Sequence, residues 1–264
     1  PAAASAAFEL CPAFQAPNAQ PTTAITRRAA TVNNIGNTSD YYNAAAGGTP
    51  AWDTDRYLNI WVCTIGGGTL GFAYPPGMAP LGADGVVIDP NYFGITGVAP
   101  PYNAGRTTTH EVGHYLNLEH VWGPGSGGCG QDDGISDTPL QDRQSSGCRT
   151  HPNASCNSSD MFMNFMDYSD DACMNLFTNG QRTMMRAVLQ GARVGLLNNT
   201  AACAQSANDA GARVVAPVVA VCTDSVRAQI ELINYGNNPL QSLTLTYQLN
   251  QQPLGSLSWT GTLN

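Results

Sequence analysis

Apolar positions come in short strand-like runs over the first ninety residues, switch to helical spacing just after residue 100, and return to alternation near the end. Phe8 to Cys11 is a brief strand-like run. Tyr57-Leu58-Asn59-Ile60-Trp61-Val62-Cys63 is the clearest early strand, β-branched and aromatic with a triple-glycine turn behind it. Leu70 to Tyr74 and Gly85-Val86-Val87-Ile88-Asp89 predict two more. Asn103 to about Asn117 predicts a helix, with Asn103 or a threonine near its start as N-cap. Gly123 to Ser159 has little periodicity and reads as a long irregular loop, a length uncommon unless the segment is functional or cross-linked. Thr178-Asn179-Gly180-Gln181 matches a capping box, and Arg182 to Leu189 carries apolar positions at helical spacing. After Cys203 the character changes. Val214 to Val221, Val226 to Ile233 and Leu243 to Leu249 alternate, with Asn, Gly and Pro at the turns between them, as in a β-sandwich. The expected fold class is α/β (α+β), with a boundary near Ala207. Residues 1–206 form one domain, and 207–264 form part of an Ig-like β-sandwich with room for three or four strands.

The predicted helix carries the chemistry. His110-Glu111-Val112-Gly113-His114, followed by His120, contains three of the four histidines. Four residues advance a helix by roughly one turn, so His110 and His114 stack on one face about 6 Å apart, where both can hold one small cation. Glu111 lies round the helix, poorly placed as a ligand but able to reach a water beside the metal. His120 joins them only if the helix ends after His114 and the chain doubles back. Three neutral nitrogens with one open position make a catalytic zinc site.

Composition narrows the setting. A 264-residue chain can bury a substantial core. Its net charge of −8 argues against nucleic acid or an anionic membrane as partner, and no apolar run approaches 18 residues. The eight cysteines include no CxxC pair, so they fit disulfides in an oxidising, extracellular compartment. No signal-peptide pattern is present, and Pro1 reads as a processing or truncation point.

His110 to His120, followed by Met166-Asp167-Tyr168, resembles the metzincin clan of zinc endopeptidases. The string Asn164 to Met174, with Gly134 to Pro139 before it, is similar to the pappalysins, most of all to their prokaryotic ulilysin and mirolysin group. The likeness runs from about Phe8 to Leu197. It implies a catalytic domain with a twisted upper sheet, an active-site helix and an irregular lower subdomain. The family's first strand and first long helix should precede Phe8, and they are missing here. Asn117 stands where metzincins carry a glycine, and it must leave the helix with positive φ, which Asn tolerates next best after Gly.

The resemblance makes His110, His114 and His120 zinc ligands and Glu111 the general base and acid, acting on protein or peptide substrates. Met166 becomes the hydrophobic floor beneath the metal. Tyr168 becomes the hydrogen-bond donor to the reaction intermediate. Asp171 would lie at the base of the S1′ pocket and select Arg or Lys, so that cleavage falls N-terminal to a basic residue. Asp133, the Ser136 carbonyl and Thr138 become calcium ligands. It also implies the disulfides Cys129–Cys156 and Cys148–Cys173. Cys11 with Cys63 and Cys203 with Cys222 are then leftovers, paired by elimination alone. Gly85 to Asp89 is the candidate edge strand for pairing with an extended substrate. Two rivals compete. A gluzincin would take its third ligand from a later glutamate, which the helix after Thr178 lacks. A secreted adhesion or binding protein with a vestigial metal site would have no use for Glu111.

Overall fold

The computed structural model describes residues 3–6, 8–20, 22–199, 210–214, 219–220, 226–227, 230–234, 238–249 and 252–263. The chain divides into two compact units, Pro1–Ala202 and Cys203–Asn264. The sequence boundary near Ala207 lies outside the described residues, as do both members of the Cys203–Cys222 pairing.

In the first unit β1 (Ala3–Ala4) is followed by a long stretch of loops and short 3-10 turns. β2 (Ile60–Val62), β3 (Gly71–Ala73) and β4 (Val86–Ile88) then form a sheet in the order β2-β4-β3. β4 runs parallel to β2 and antiparallel to β3. Its side chains alternate between two cores, as the pleat requires. Val86 and Ile88 face the main core with Val112, Leu118, Met166 and Met185, while Val87 joins Tyr41, Trp61 and Ala83 on the other side. Two sequence expectations are corrected here. Gly85 to Asp89 is not an edge: β4 is paired on both sides and its three residues are fully buried. Its unbroken apolar run is what a central strand needs. Among the described residues the free edge facing the helix belongs to β3. Phe8 to Cys11 is not a strand either. Phe8 packs on the main core, but Leu10 is exposed and the run meets Pro12 before it can pair.

α1 (Arg106–Tyr115) lies against β3 and β4. The 123–159 segment is irregular apart from a small hairpin, β5 (Ala154–Ser155) with β6 (Ser158–Ser159). β7 (Phe177–Thr178) pairs with β1 and leads into α2 (Asn179–Gln190). α2 opens on a capping box in which the Thr178 side chain accepts from Gln181 N–H and the Gln181 side chain accepts from Thr178 N–H. α3 (Val194–Asn198) closes the unit. Between α2 and α3, the buried Arg193 forms a bidentate pair with Asp84 at 2.7 and 2.9 Å and donates to the Tyr115 carbonyl at the end of α1. That one side chain ties the last helices to the sheet and to α1.

The disulfides Cys129–Cys156 and Cys148–Cys173 are formed. Cys63 is a free thiol, and Cys11 is disulfide-bonded to another cysteine, so the Cys11–Cys63 pairing is corrected. The Cys63 sulfur is committed to the second core, next to Tyr41 and the backbone at Gly36. In the second unit all described pairs are antiparallel. They are β8 (Ala210–Val214) with β11 (Ile230–Asn234), β9 (Val219–Ala220) with β10 (Val226–Arg227), and the long hairpin of β12 (Leu240–Leu249) with β13 (Gln252–Leu263). Among the described residues no helix is long and apolar enough to cross a membrane.

Candidate active site

α1 has no side-chain cap of its own. Its N-cap is Gly105, and neither Asn103 nor a threonine fills the role. Asp171, far along the chain, does so instead. Its Oδ2 accepts from Ala104 N–H at 2.8 Å and Arg106 N–H at 3.2 Å, and its own N–H donates to the Pro101 carbonyl at 3.1 Å. A carboxylate beside the free amides at a helix start is favourable both as acceptor and as charge.

Further along α1, His110 and His114 share a face, and the chain leaves the helix at Asn117 with φ 68°. That left-handed residue turns the backbone so that His120 returns to the same point. The three Nε2 atoms converge at 3.0, 3.1 and 3.2 Å from one another. A tetrahedral zinc with bonds of about 2.0–2.1 Å spaces its ligand nitrogens roughly 3.3 Å apart, so the triangle fits. Protonation fits as well. His110 Nδ1 lies 2.7 Å from the Phe165 carbonyl and His114 Nδ1 lies 2.7 Å from the Leu118 carbonyl. Both Nδ1 atoms therefore carry the hydrogen, and both Nε2 lone pairs face the centre. Burial, with the neighbouring rings, pushes His110 down to about 3 and His120 down to about 2, and burial also lowers His114. Neutral imidazoles crowded lone pair to lone pair are the donor set of a metal centre, and the three histidines form a zinc-binding site. Trp122 stacks on His120 at 4.2 Å with the rings 8° from parallel, fixing its plane.

Glu111 is buried beside the triad, and desolvation pushes its carboxyl up to about 8. It packs against β3 at Gly71, where any Cβ would lie 2.9 Å from the Val87 carbonyl oxygen and 3.0 Å from Glu111 Cγ. Only glycine lets the sheet approach the helix this closely. Beneath the triad Met166 is fully buried, and a Cβ on Gly113 would fall 2.4 Å from its sulfur. The glycine of the histidine motif is therefore the seat of that methionine. Asn164 holds the turn from below, its Oδ1 accepting from Met166 N–H at 2.9 Å while its amide pairs with Gln181. Asp167 ties the same turn to the long loop, accepting from Gln141, Ser145 N–H and Tyr168 N–H. Tyr168 is half-exposed, its ring centroid 5.4 Å from that of His110 and 4.9 Å from that of His120.

A cleft of about 310 Å³ runs along this face, lined by Leu70, Gly71, Arg106, His110, Glu111 and Tyr168, with Asp171 and Ser169 among its other walls. The structure thus brings His110, Glu111, His114, His120, Met166, Tyr168 and Asp171 together. Asp133, Ser136 and Thr138 lie in the long loop and do not line the cleft. Sequence reading missed the Phe165 and Leu118 carbonyls, Trp122, Arg106 and Ser169. Only Arg106 left a signal, four residues before His110 and so on its helix face.

The family model for pregnancy-associated plasma protein-A matches residues 42–190. An extracellular metalloprotease of Arthroderma benhamiae is 42% identical over 151 residues, 54% of this chain and 51% of its own length. Extracellular metalloprotease 1 of Coccidioides posadasii is 42% identical over 147 residues, 52% of this chain and 51% of its own. The chain spans about half the length of these curated relatives. Among solved structures, mature mirolysin of Tannerella forsythia in complex with a cleaved peptide superposes with a TM-score of 0.72 at 40% identity, over 76% of this chain and 79% of that one. Promirolysin of the same organism gives 0.72 and 40%, over 76% and 69%. With the histidine helix and the methionine turn inside the matched span, the chain belongs to the pregnancy-associated plasma protein-A family, the pappalysins, within the metzincin zinc peptidases.

Proposed function

We propose that this protein is a secreted zinc-dependent endopeptidase. The observation that carries the reading is the convergence of three neutral Nε2 atoms beside a buried glutamate on an open cleft. Zinc held by His110, His114 and His120 supplies Lewis acidity toward a peptide carbonyl and an attacking water. Glu111 takes the proton from that water and returns it to the leaving amine. The Tyr168 hydroxyl, at the cleft mouth, donates to the carbonyl oxygen as negative charge develops there. The free edge of β3 offers backbone groups to an extended substrate, in place of β4. Asp171 on the cleft wall meets an Arg or Lys side chain, so that the bond N-terminal to a basic residue is cut. Secretion is supported by the disulfides, Cys129–Cys156 and Cys148–Cys173 among them, and by relatives that are named extracellular metalloproteases.

Calcium at Asp133, the Ser136 carbonyl and Thr138 is a further part of the reading. The Thr138 hydroxyl has two acceptors for one hydrogen, Asp133 Oδ1 at 2.7 Å and the Ile135 carbonyl at 2.6 Å. Asp133 Oδ2 is buried with no partner. Oxygens so crowded suit a hard cation. A calcium-selective chelator should lower the melting temperature while zinc stays bound, and an unchanged melt would remove this assignment.

The zinc content of the purified chain and its hydrolysis of peptides, with Glu111→Ala as control, test the main reading. That variant should keep its zinc and lose about 10²–10⁴-fold in rate. Substantial cleavage by the zinc-loaded variant would sink the role of Glu111, and a wild-type chain that binds no zinc would sink the whole reading.

A further inference from the structure

Arg106 puts a positive charge on the cleft wall that no carboxylate in the described residues answers. The ion pairs among the described residues are Arg143–Asp142 and Arg193–Asp84, both away from the cleft lining. The backbone N–H of Arg106 reaches Asp171, but its guanidinium lies over the Phe165 ring, 5.2 Å from the centroid, and its Nε is buried without a hydrogen-bond partner. Ser169 Oγ is in the same condition, on a residue only 1% exposed. Both residues line the cleft that holds His110, Glu111 and Tyr168.

Buried polar atoms without partners are few in native proteins, and one explanation for them is a ligand. Arginine cannot shed its proton to escape desolvation, so the group that meets it has to bring acceptors, and preferably charge. Asp171 does not supply that charge to the guanidinium: its Oδ2 accepts from the two amides at the head of α1, and no ion pair joins it to the Arg106 side chain. Stacking on Phe165 holds the guanidinium in place, and the Phe165 carbonyl in turn holds His110. The donor is therefore fixed relative to the zinc ligands. Building on the peptidase reading of the cleft, we infer that Arg106, assisted by the Ser169 hydroxyl, binds a carboxylate of the substrate and is a specificity-determining residue separate from Asp171. In a peptide that carboxylate has two sources. It is an acidic side chain just beyond the scissile bond, or the chain's own C-terminus a residue or two beyond it. The planar guanidinium fork suits either.

Matched peptides decide the matter. With Arg kept directly after the scissile bond, the next residue is Glu or Gln in an amidated peptide, or is itself the terminal residue as free acid or amide. A third pair places Glu or Gln directly after the bond. kcat/KM is measured for the wild-type protein, Arg106→Gln and Arg106→Lys. The wild type should favour the acid of one pair by about 10-fold or more. That ratio should fall toward one in Arg106→Gln and survive in part in Arg106→Lys, which keeps charge but loses the fork. The responding pair names the source, and a response in the third pair would keep Arg106 while removing the basic preference assigned to Asp171. Equal ratios in wild type and Arg106→Gln overturn the inference. So does an equal loss on acid and neutral peptides, because Arg106 would then be reading the main chain. Should Arg106→Gln fail to fold, the lysine variant and the wild-type ratios carry the decision. If no peptide is hydrolysed, the peptidase reading fails on its own. The same pairs are then compared as ligands by fluorescence anisotropy, and the inference stands only if the acids bind more tightly and Arg106 is needed for it.

Discussion

Asp171 caps α1, and the proposed selection of basic substrates would be a second duty that two substitutions separate from the first. The residue is 3% exposed and its carboxylate accepts from Ala104 and Arg106 N–H at 2.8 and 3.2 Å, so it caps the helix that carries His110, Glu111 and His114. Charge-assisted hydrogen bonds to a buried carboxylate contribute roughly 1.5–3 kcal/mol each, and the helix end adds a few tenths to about 1 kcal/mol. Asp171→Ala leaves both amides unanswered, and because the two bonds share one oxygen and do not add fully, the expected loss is about 2–5 kcal/mol. For a unit of this size that lowers the melting temperature by about 5–15 °C. Asp171→Asn keeps one acceptor oxygen and should cost about 1–2 kcal/mol. Against basic substrates the two variants should behave alike, because each removes the negative charge, and discrimination for Arg or Lys should fall by ~10-fold or more in both. Differential scanning fluorimetry reports the first duty and peptide-library profiling the second. If Asp171→Asn kept the basic preference, the charge would be spent wholly on the helix and the pocket assignment would be wrong. An Asp171→Ala protein as stable as wild type would refute the capping account.

Tyr168→Phe should lower kcat by roughly 10- to 1,000-fold, as for one lost donor to the transition state, and a change confined to KM would instead mark substrate positioning. Arg193→Met should cost about 3–5 kcal/mol in urea denaturation, because it strands the Asp84 carboxylate and the Tyr115 carbonyl, and a loss below 1 kcal/mol would show that water replaces the guanidinium at no penalty. Cys63 should alkylate slowly at pH 8. Burial first, and Asp89 second, push its thiol from 9.0 up to about 11, so its contribution to stability is present below pH 9 and is lost as pH rises through about 11. The rate of iodoacetamide labelling of the native protein should therefore keep climbing past pH 10, and a plateau near pH 9 would contradict the burial.

The metal centre was legible in the sequence because its geometry is mostly local. Residues 110 and 114 meet on any α-helix, and Asn117 is among the few residues able to take the positive φ that swings His120 back. The capping box at Thr178 is local in the same sense, since all its partners lie within one turn. Where the partner comes from elsewhere in the chain, tertiary structure alone decided. The cap of α1 is supplied by Asp171 rather than by its own flank, and the carbonyl that orients His110 comes from Phe165, whereas that for His114 comes from nearby Leu118. The apolar β-branched run Val86-Val87-Ile88 marked a strand but could not say which strands would flank it. Periodicity encodes the face a residue shows, and sheet order depends on how the layers pack. The free edge over the cleft therefore fell to Gly71–Ala73 and not to Gly85 to Asp89. Cys63 and Arg193 teach the same lesson from opposite sides. Nothing beside Cys63 in the chain foretold that its sulfur would sit among aromatic rings. Nothing beside Arg193 foretold a carboxylate more than a hundred residues away. Long-range pairings exist only once the core has brought their partners together.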